Sequence, residues 1–411
     1  MIKIAMLSTG EEVLHGDIDD TNASWLSALF YEHGYELSYR ATVGDQHQSL
    51  VEELQSLGNR FDVVIVNGGL GPTTDDLSAA CAATAANSSL VLFKEWLIAM
   101  EGKFEARGLK MPESNLKQAM LPKEASILDN PIGTACGFEM VIGKAKMFFT
   151  PGVPSEFKHM VQGEILPRLA EQYTDIDVHE CSRIYTFGMS ESGISDKLDL
   201  LKLPSEYQLG YRSYLPFIEV KLFGPADDMV TRMQWLKIIY SHLEDAVVSV
   251  DEPMLDNVAN LMNESNTTLS VAEQASGGFL ANWLHDNDEL AERIRLGWIM
   301  SPAMTTQIAD KEPLAAALAL AGACRDNGKS DFGLACGLIE EGTFAVALAT
   351  PQGEWGQVMT FNREYARKPM RSLMATLMLD MLRRHLESKP MFGQYGSFTR
   401  QKELFVPASQ I

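Results

Sequence analysis

The chain has 411 residues, with 55 acidic and 34 basic side chains, a formal net charge of -21, and 46% hydrophobic residues. At roughly 100–200 residues per domain this length predicts two to four domains, and the negative charge without a Lys/Arg run argues against binding to a nucleic-acid backbone. The five cysteines are odd in number and lack a Cys-x-x-Cys pair, which predicts reduced thiols, a cytoplasmic location and no zinc site. Apolar runs are too short for a signal peptide or a membrane span.

The first part of the chain alternates apolar strands with helices. Strands are predicted at 2–7, 37–43, 62–67 and 146–150, and helices at 21–30, 48–57 and 156–169. The β-branched run at 62–67 is typical of a central parallel strand. This alternation predicts a doubly wound α/β domain over residues 1–172.

The pattern changes near residue 174. Alternating strands at 183–187 and 217–223, with helices at 192–201 and 228–242, predict a small α+β module over residues 173–253. A third domain, residues 254–411, is predicted to contain a strand at 268–272 and helices at 314–324 and 368–387. The tail after Pro390 lacks periodicity and is expected to be extended or loosely docked.

The stretch Asn67–Asp76 follows the central strand and is rich in glycine. Gly68, Gly69 and Gly71 let the backbone turn sharply and approach a ligand closely. Ligands of doubly wound sheets bind beyond the carboxyl ends of the strands. We therefore expect a loop that holds a phosphate-bearing ligand. The alternative is that the glycines only make a turn.

The end of this loop predicts a helix start and a metal. Thr73 or Thr74 is expected to cap the following helix, whose free N–H groups favour an anion. Asp75 and Asp76 would repel a phosphate unless a hard divalent ion lies between them. The alternative is that both carboxylates merely stabilise the first helical turn.

Two further loops, at 8–11 and 151–156, follow predicted strands and are expected to converge on the same crevice. Glu11 is a candidate for a second metal ligand or a general base, although a solvated acidic loop is an equal alternative. Lys117 would neutralise a phosphate or, alternatively, lie on the surface. The remaining predicted ligand contacts are Asn22, Gly133, Thr134, Pro151 and Gly152.

Four ordered motifs resemble the competence-damage protein family, CinA, and the resemblance covers essentially the whole chain. They are Ser8–Gly16 with Asp20-Thr-Asn22, Gly68–Asp76, Asn130–Ala135 and Pro151–Glu156. The resemblance implies a molybdopterin-binding-like (MoaB/MogA) domain that acts as a metal-dependent ADP-ribose pyrophosphatase, a KH-type middle module, and a C-terminal domain that is a nicotinamide mononucleotide deamidase in active members. It also implies a homodimer.

The C-terminal domain departs from the family pattern. Active deamidases carry Glu-Ser-Cys-Thr-Gly-Gly with Ser as presumed nucleophile, whereas this chain has Glu273-Gln-Ala-Ser-Gly-Gly278. Gln274 offers no nucleophilic oxygen. Ser276 is expected to cap a helix, and the alternative is that it replaces the nucleophile two positions late. The stretch 300–305 lacks the family's Lys, and the loop 337–342 carries two carboxylates where a phosphate should approach. The sequence therefore predicts an inactive deamidase site, marked by Glu273, Gln274, Ser276, Gly277 and Gly278.

These observations predict hydrolysis of a nucleoside diphosphate sugar, ADP-ribose to AMP and ribose 5-phosphate, with Mg²⁺, Mn²⁺ or Co²⁺ on Asp75 and Asp76 and with Glu11 assisting. One alternative is a non-catalytic nucleotide- or molybdopterin-like ligand-binding or scaffold protein. Residual amidohydrolase activity is a lower alternative. The expected partner is a small nucleotide substrate, with no membrane. No RNA binding is expected, because the loop Gly188–Gly193 is acidic and longer than a Gly-x-x-Gly clamp.

Overall fold

The computed structural model describes residues 2–174, 178–301 and 312–410, and the chain divides into two compact units, 1–179 and 180–411. The predicted boundary at 172/173 lies close to this division. The predicted boundary at 253/254 lies inside the second unit and stays a prediction. Within the described ranges, no helix is long and apolar enough to cross a membrane.

The first unit is built on one six-stranded sheet and a two-stranded ribbon. Its strands are β1 Ile4–Thr9, β2 Leu37–Val43, β3 Val63–Asn67, β4 Leu90–Leu92, β5 Met120–Pro122, β6 Ser126–Leu128, β7 Gly137–Ile142 and β8 Ala145–Thr150. The sheet order is β2-β1-β3-β8-β7-β6, and β4 pairs with β5 in the ribbon. Strands β2, β1, β3 and β8 are parallel, while β7 and β6 continue the sheet in antiparallel pairs.

Helices cover both faces of this sheet. They are α1 Glu11–Leu14, α2 Thr21–Glu32, α3 His47–Arg60, α4 Ser78–Ala85, α5 Lys94–Ala106, α6 Pro154–Met160 and α7 Leu166–Gln172; a π-helical segment, Val161–Ile165, joins the last two, and a 3-10 helix spans Glu113–Ala119. Alternate residues of β1 enter different cores: Ile4 and Met6 pack with α2, α6 and α7, whereas Ala5 and Leu7 pack with α3 and α4. Because side chains alternate along a strand, this confirms the doubly wound α/β prediction.

The second unit contains a four-stranded and a six-stranded sheet. Its strands are β9 His179–Phe187, β10 Gln208–Tyr214, β11 Phe217–Pro225, β12 Val247–Val250, β13 Leu269–Glu273, β14 Ile294–Ile299, β15 Phe332–Glu340, β16 Thr343–Thr350, β17 Gly353–Phe361 and β18 Phe398–Pro407. The orders are β10-β11-β9-β12 and β14-β13-β15-β16-β17-β18. Strand β13 is parallel to both neighbours, and the strands from β15 to β18 are antiparallel.

The helices of the second unit include the four that were predicted, one ending three residues earlier and one four residues later than expected, and three for which no range was predicted. They are α8 Glu191–Leu198, α9 Met229–Leu243, α10 Met254–Ser265, α11 Phe279–Leu284, α12 Asp288–Arg293, α13 Pro313–Gly328 and α14 Arg367–Leu386, with 3-10 turns at Glu244–Ala246 and Ala408–Gln410. Strands β10, β12 and β14 to β18 were not predicted. The tail after Pro390 is extended, as expected, but β18 is not loosely docked, because it pairs with β17 over most of its length.

Candidate functional site

A crevice of about 490 Å³ lies at the carboxyl edge of the first sheet. Its walls include residues within two positions of the ends of the four parallel strands: Gly10 after β1, Asp45 after β2, Gly68 after β3 and Pro151 after β8. Parallel strands bring their carboxyl ends to one edge, so the loops meet there as the sequence indicated.

Nine of the fourteen predicted site residues of this unit line the crevice: Asn22, Gly68, Gly69, Gly71, Asp75, Asp76, Thr134, Pro151 and Gly152. The remaining five, which do not line it, are Glu11, Thr73, Thr74, Lys117 and Gly133. The glycine-rich loop thus faces the crevice. Glu11 and Lys117, the charged residues that were predicted to assist it, do not line the crevice.

The glycine-rich loop closes on itself. Gly68 and Gly69 have φ of 111° and 66°, in the region that favours glycine. Asp76 Oδ2 accepts hydrogen bonds from the Thr73 backbone N–H at 2.8 Å and from the Thr73 hydroxyl. One N–H that was expected to meet a ligand anion is therefore satisfied by the loop's own carboxylate.

The predicted helix cap is wrong. Helix α4 begins at Ser78, not within the loop, and has no side-chain cap. Thr73 is held by Asp76, and the Ser78 hydroxyl donates to the Gly68 carbonyl at 2.7 Å. Neither Asp75 nor Asp76 lies in the helix, so the alternative that they belong to its first turn is wrong as well. Hydrogen bonds from the side chains of Thr73 and Ser78 to nearby loop residues compete with helix formation here.

Lys117 braces the loop from outside. Its ammonium group donates to the Thr73 carbonyl, and the side chain lies outside the walls of the crevice. The structure therefore gives Lys117 a loop contact, and the phosphate contact stays a prediction.

Glu11 turns away from the crevice toward the loop after β2. Its backbone N–H donates to Asp45 Oδ2 at 3.2 Å, and its Oε1 accepts from the Asp45 backbone N–H at 3.2 Å. Its other oxygen lies 3.3 Å from His15. The neighbouring Glu12 lines the crevice instead.

Asp45 was missed by the sequence analysis, although its position just after β2 was a signal. Burial raises the pKa of the Asp45 carboxyl above its ordinary value, and the negative charges of Glu12, Asp75 and Glu11 add to the effect. The carboxyl ends of β1, β2 and β3 thus bring like charges together.

All charged side chains on the described walls of the crevice are acidic: Glu12, Asp19, Asp20, Asp45, Asp75, Asp76 and Glu156. No Lys, Arg or His is among these wall residues. Within the described ranges, no three His, Cys, Asp or Glu side chains are arranged to hold a metal ion. The crevice therefore needs a counter-charge from its ligand, or from a cation that the ligand helps to bind.

Two asparagines connect the floor of the crevice. Asn22 Nδ2 donates to Asn67 Oδ1 at 3.0 Å and to the Gly152 carbonyl at 2.8 Å. Asn67 in turn donates to the Pro151 carbonyl at 2.7 Å. This chain of hydrogen bonds joins the start of α2, the end of β3 and the loop after β8.

The wall at residues 130–135 is also fastened by specific contacts. The buried Asn130 amide donates to the Ala135 carbonyl and to Glu156, both at 2.7 Å, and accepts from the Gly133 backbone N–H at 3.1 Å. Lys103, whose pKa is lowered mainly by burial, donates to the carbonyls of Asn130 and Gly133. Gly133 is thus a packing position beside the crevice and not a part of its wall.

The predicted deamidase box follows β13 in the second unit. The buried carboxylate of Glu273 accepts from the backbone N–H groups of Leu280 at 3.0 Å and Ala281 at 2.7 Å, at the start of α11. The N-cap position is Gly278, so the prediction that Ser276 caps this helix is wrong. The loss of deamidase activity, inferred from Gln274, stays a prediction.

Two other stretches, 337–342 and 300–305, were assigned to the predicted deamidase site. Most of the stretch 337–342 belongs to β15, and Glu341 and Gly342, both at positive φ, form the turn into β16. It is a β-hairpin and not a phosphate loop. Of the stretch 300–305, only Met300 and Ser301 lie within the described residues.

A family model described as a probable molybdopterin binding domain matches residues 5–171. A CinA-like protein of Escherichia coli (strain SMS-3-5) is 40% identical over 400 residues, which cover 96% of this chain and 97% of that protein.

Two solved structures are similar to part of the chain. The CinA protein of Thermoplasma acidophilum, described as of unknown function, is 26% identical with a TM-score of 0.38, covering 40% of this chain and 96% of its own. The molybdopterin biosynthesis enzyme MoaB of Thermus thermophilus is 18% identical with a TM-score of 0.29, covering 42% of this chain and 94% of its own.

Proposed function

This chain belongs to the CinA-like protein family, and from that premise we propose that its first unit binds a small phosphate-bearing ligand of the molybdopterin class. One observation carries the proposal. The crevice lies within the residues that match a molybdopterin binding domain, and its walls include buried polar oxygens without a hydrogen-bond partner. Such groups are rare in native proteins unless a ligand or water meets them.

The prediction of ADP-ribose hydrolysis is wrong. The chain's relatives are CinA-like proteins, residues 5–171 match a molybdopterin binding domain, and none of the relatives named above is described as an ADP-ribose pyrophosphatase. The geometry supplies a physical reason. The predicted mechanism placed a metal on Asp75, Asp76 or both, with Glu11 as a second ligand or general base, but Asp76 binds Thr73 and Glu11 faces Asp45.

The acidity of the crevice limits how a phosphate can bind. An anion beside several carboxylates is repelled, more strongly where water is partly excluded. Mg²⁺ usually takes one or two carboxylates together with phosphate oxygens, and it keeps several waters. The residues fit a divalent ion in this manner, with Asp75 as the carboxylate on the crevice wall whose pKa is held below its ordinary value, mainly by a hydrogen bond from the Thr73 side chain. The ion would neutralise the phosphate, and Gly68 and Gly69 would let the ligand approach the backbone.

The experiment is a thermal-denaturation and calorimetric titration of the full chain with a pterin that carries a phosphomethyl group at C6, with and without Mg²⁺. A ligand that binds only the folded state at 100 times its Kd stabilises that state by about 2.7 kcal/mol, which a melting curve resolves. We expect binding that is tighter with Mg²⁺. Absence of binding at millimolar concentrations under both conditions would contradict the proposed function.

A further inference from the structure

Two oxygens on the floor of the crevice are buried and have no hydrogen-bond partner among the described residues: Thr9 Oγ1 and Asn22 Oδ1. Thr9 is 5% exposed and Asn22 is 6% exposed. Burying a polar group without a partner costs folding free energy. At a binding site that cost is recovered when the ligand supplies the missing partner.

The orientation of the Asn22 amide is fixed by its neighbours. Its nitrogen donates to Asn67 Oδ1 at 3.0 Å and to the Gly152 carbonyl at 2.8 Å, and both of these atoms can only accept. The amide of Asn67 is fixed in the same way, because its nitrogen donates to the Pro151 carbonyl. Turning the Asn22 amide over would place its oxygen against two other oxygens. Asn22 Oδ1 is therefore the atom without a hydrogen-bond partner among the described residues, and it can only accept a hydrogen bond.

The Thr9 hydroxyl lies beside the glycine-rich loop. A Cβ built on Gly68 would lie 2.7 Å from Thr9 Oγ1, and one built on Gly69 would lie 3.2 Å from it. The absence of side chains at these two positions leaves space next to the hydroxyl that a Cβ would otherwise fill. A hydroxyl both donates and accepts, so Thr9 can act as a second acceptor on the crevice wall.

We infer that the floor of the crevice recognises the amino-bearing edge of a heterocyclic ligand, and that Thr9 and Asn22 determine this specificity. The inference rests on the proposed function of the crevice. A fully ionised phosphate has acceptor oxygens only, so it cannot donate to Asn22 Oδ1. The Asp20 carboxylate, which accepts a hydrogen bond from the Ser8 hydroxyl at 2.6 Å, would also repel a phosphate. The ring therefore occupies the floor, and the phosphate lies away from it.

Thr9→Val tests the inference because valine keeps the shape of threonine and removes only the hydroxyl. Since Thr9 Oγ1 has no partner among the residues that the structure describes, the variant without ligand should melt at the wild-type temperature or above it. In calorimetry on the full chain with Mg²⁺, we expect its Kd for C6-phosphomethyl pterin to rise about tenfold, the loss of one well-placed hydrogen bond.

Thr150→Val is the matched control. The Thr150 hydroxyl is buried and donates to the Val66 carbonyl at 3.0 Å, so this variant should melt at a lower temperature without ligand. If Thr9→Val is destabilised in the same way, Thr9 is structural and the inference is wrong.

A second ligand tests the donor. The lumazine counterpart of the probe carries a carbonyl in place of the amino group on the ring. Its carbonyl oxygen would face Asn22 Oδ1, and because both atoms only accept hydrogen bonds, the two would repel each other. We expect wild-type protein to bind it at least about tenfold more weakly than the pterin. Equal Kd values for both rings, or for wild type and Thr9→Val, would overturn the inference and leave the proposed function standing. If the wild-type protein binds neither ring, the proposed function itself fails.

Discussion

Asp76 Oδ2 accepts a hydrogen bond from the backbone N–H of Thr73 at 2.8 Å, so the glycine-rich loop binds its own carboxylate. This contact changes the role of the loop. A row of free N–H groups after a strand is a ready anion site, but here at least one of them is already satisfied. The loop therefore has its shape without a ligand. Of the two carboxylates at its end, Asp76 is the one that accepts from the Thr73 backbone N–H.

Asp76→Ala should loosen this loop. Removing the carboxylate leaves the Thr73 N–H without its acceptor and should cost about 1 kcal/mol of stability. Hydrogen exchange of the backbone amides at 68–76 should accelerate. Asp75→Ala is the comparison, because it removes a contact with the Thr73 side chain and leaves the backbone N–H bond to Asp76 in place. Equal exchange in both variants would contradict a loop-shaping role that belongs to Asp76 alone.

Asp75→Asn should weaken the part of ligand binding that depends on Mg²⁺. The amide keeps the size of the carboxylate but removes the charge that a hard cation prefers. The measurement is the Kd for C6-phosphomethyl pterin at several Mg²⁺ concentrations. Asp286→Asn, an exposed carboxylate of the second unit, should behave as wild type. An unchanged Mg²⁺ dependence in Asp75→Asn would refute Asp75 as a ligand.

Gly68→Ala should destabilise the first unit by about 1–3 kcal/mol. The φ of 111° is unfavourable for alanine, and the added Cβ would lie 2.6 Å from the Thr9 carbonyl oxygen. At Gly152, by comparison, the nearest atom to an added Cβ is 3.6 Å away. Gly152→Ala should therefore change stability by less than about 0.5 kcal/mol. Chemical denaturation of both variants is the measurement.

Asp45→Asn should raise the melting temperature at pH 7. Burial, followed by the charges of Glu12, Asp75 and Glu11, raises the pKa of Asp45 in the folded protein. Between the unfolded and folded pKa values the native state holds more protons, so this carboxyl makes stability fall as pH rises. The gain from Asn should vanish below about pH 4, where the unfolded carboxyl is protonated too.

A pH series of melting curves measures this effect. Asp17→Asn, an exposed carboxylate after α1, removes the same charge and should give a smaller change. Equal gains from the two substitutions would mean that net charge, and not the crevice, is responsible.

Asp380→Asn should cost the second unit about 3–5 kcal/mol, the range for breaking a buried ion pair. The buried Asp380 carboxylate accepts from Arg383 at 2.6 Å, Arg384 at 2.8 Å and the Tyr395 hydroxyl at 2.7 Å. Burial opposes its charge, but Arg383 and Arg384 hold the pKa of Asp380 below its ordinary value.

The stability that Asp380 contributes should therefore be present above about pH 4 and be lost as pH falls through its lowered pKa. Denaturation of the wild type and of Asp380→Asn between pH 7 and pH 3 measures this. Glu387→Gln, which changes a half-buried partner of Arg383, should cost less. A difference between wild type and Asp380→Asn that does not shrink on acidification would exclude the charge as its source.

Local pattern was sufficient for most of the fold. The predicted strand Leu37–Val43 has the observed bounds of β2, and the predicted helix at 368–387 differs from α14 by one residue at each end. The apolar residues of β2 alternate, a pattern that depends only on near neighbours. Helix α14 has no such period, because every residue from Leu373 to Arg384 is buried, and its length and helix-forming residues carried the prediction. Strand β18 was harder, because its residues are mostly exposed at the edge of the sheet and carry little apolar signal.

The site was predicted in place but not in detail. Strand ends located the crevice, and nine predicted residues line it. Sequence could not show that Glu12 and not Glu11 lines the crevice, because the two are equivalent in sequence and only the approach of Asp45 distinguishes them. Thr9 was overlooked because an unpaired hydroxyl has no sequence signature.

The sequence by itself determined the α/β architecture, the family and the position of Asn67–Asp76 beyond a central strand. Tertiary structure alone decided which polar groups are satisfied. Asn22 meets the Gly152 carbonyl across 130 positions of the chain, and Asp76 folds back on Thr73 only because the loop closes there. Periodicity is a local property of the chain, whereas hydrogen-bond partners depend on how separate loops meet in space.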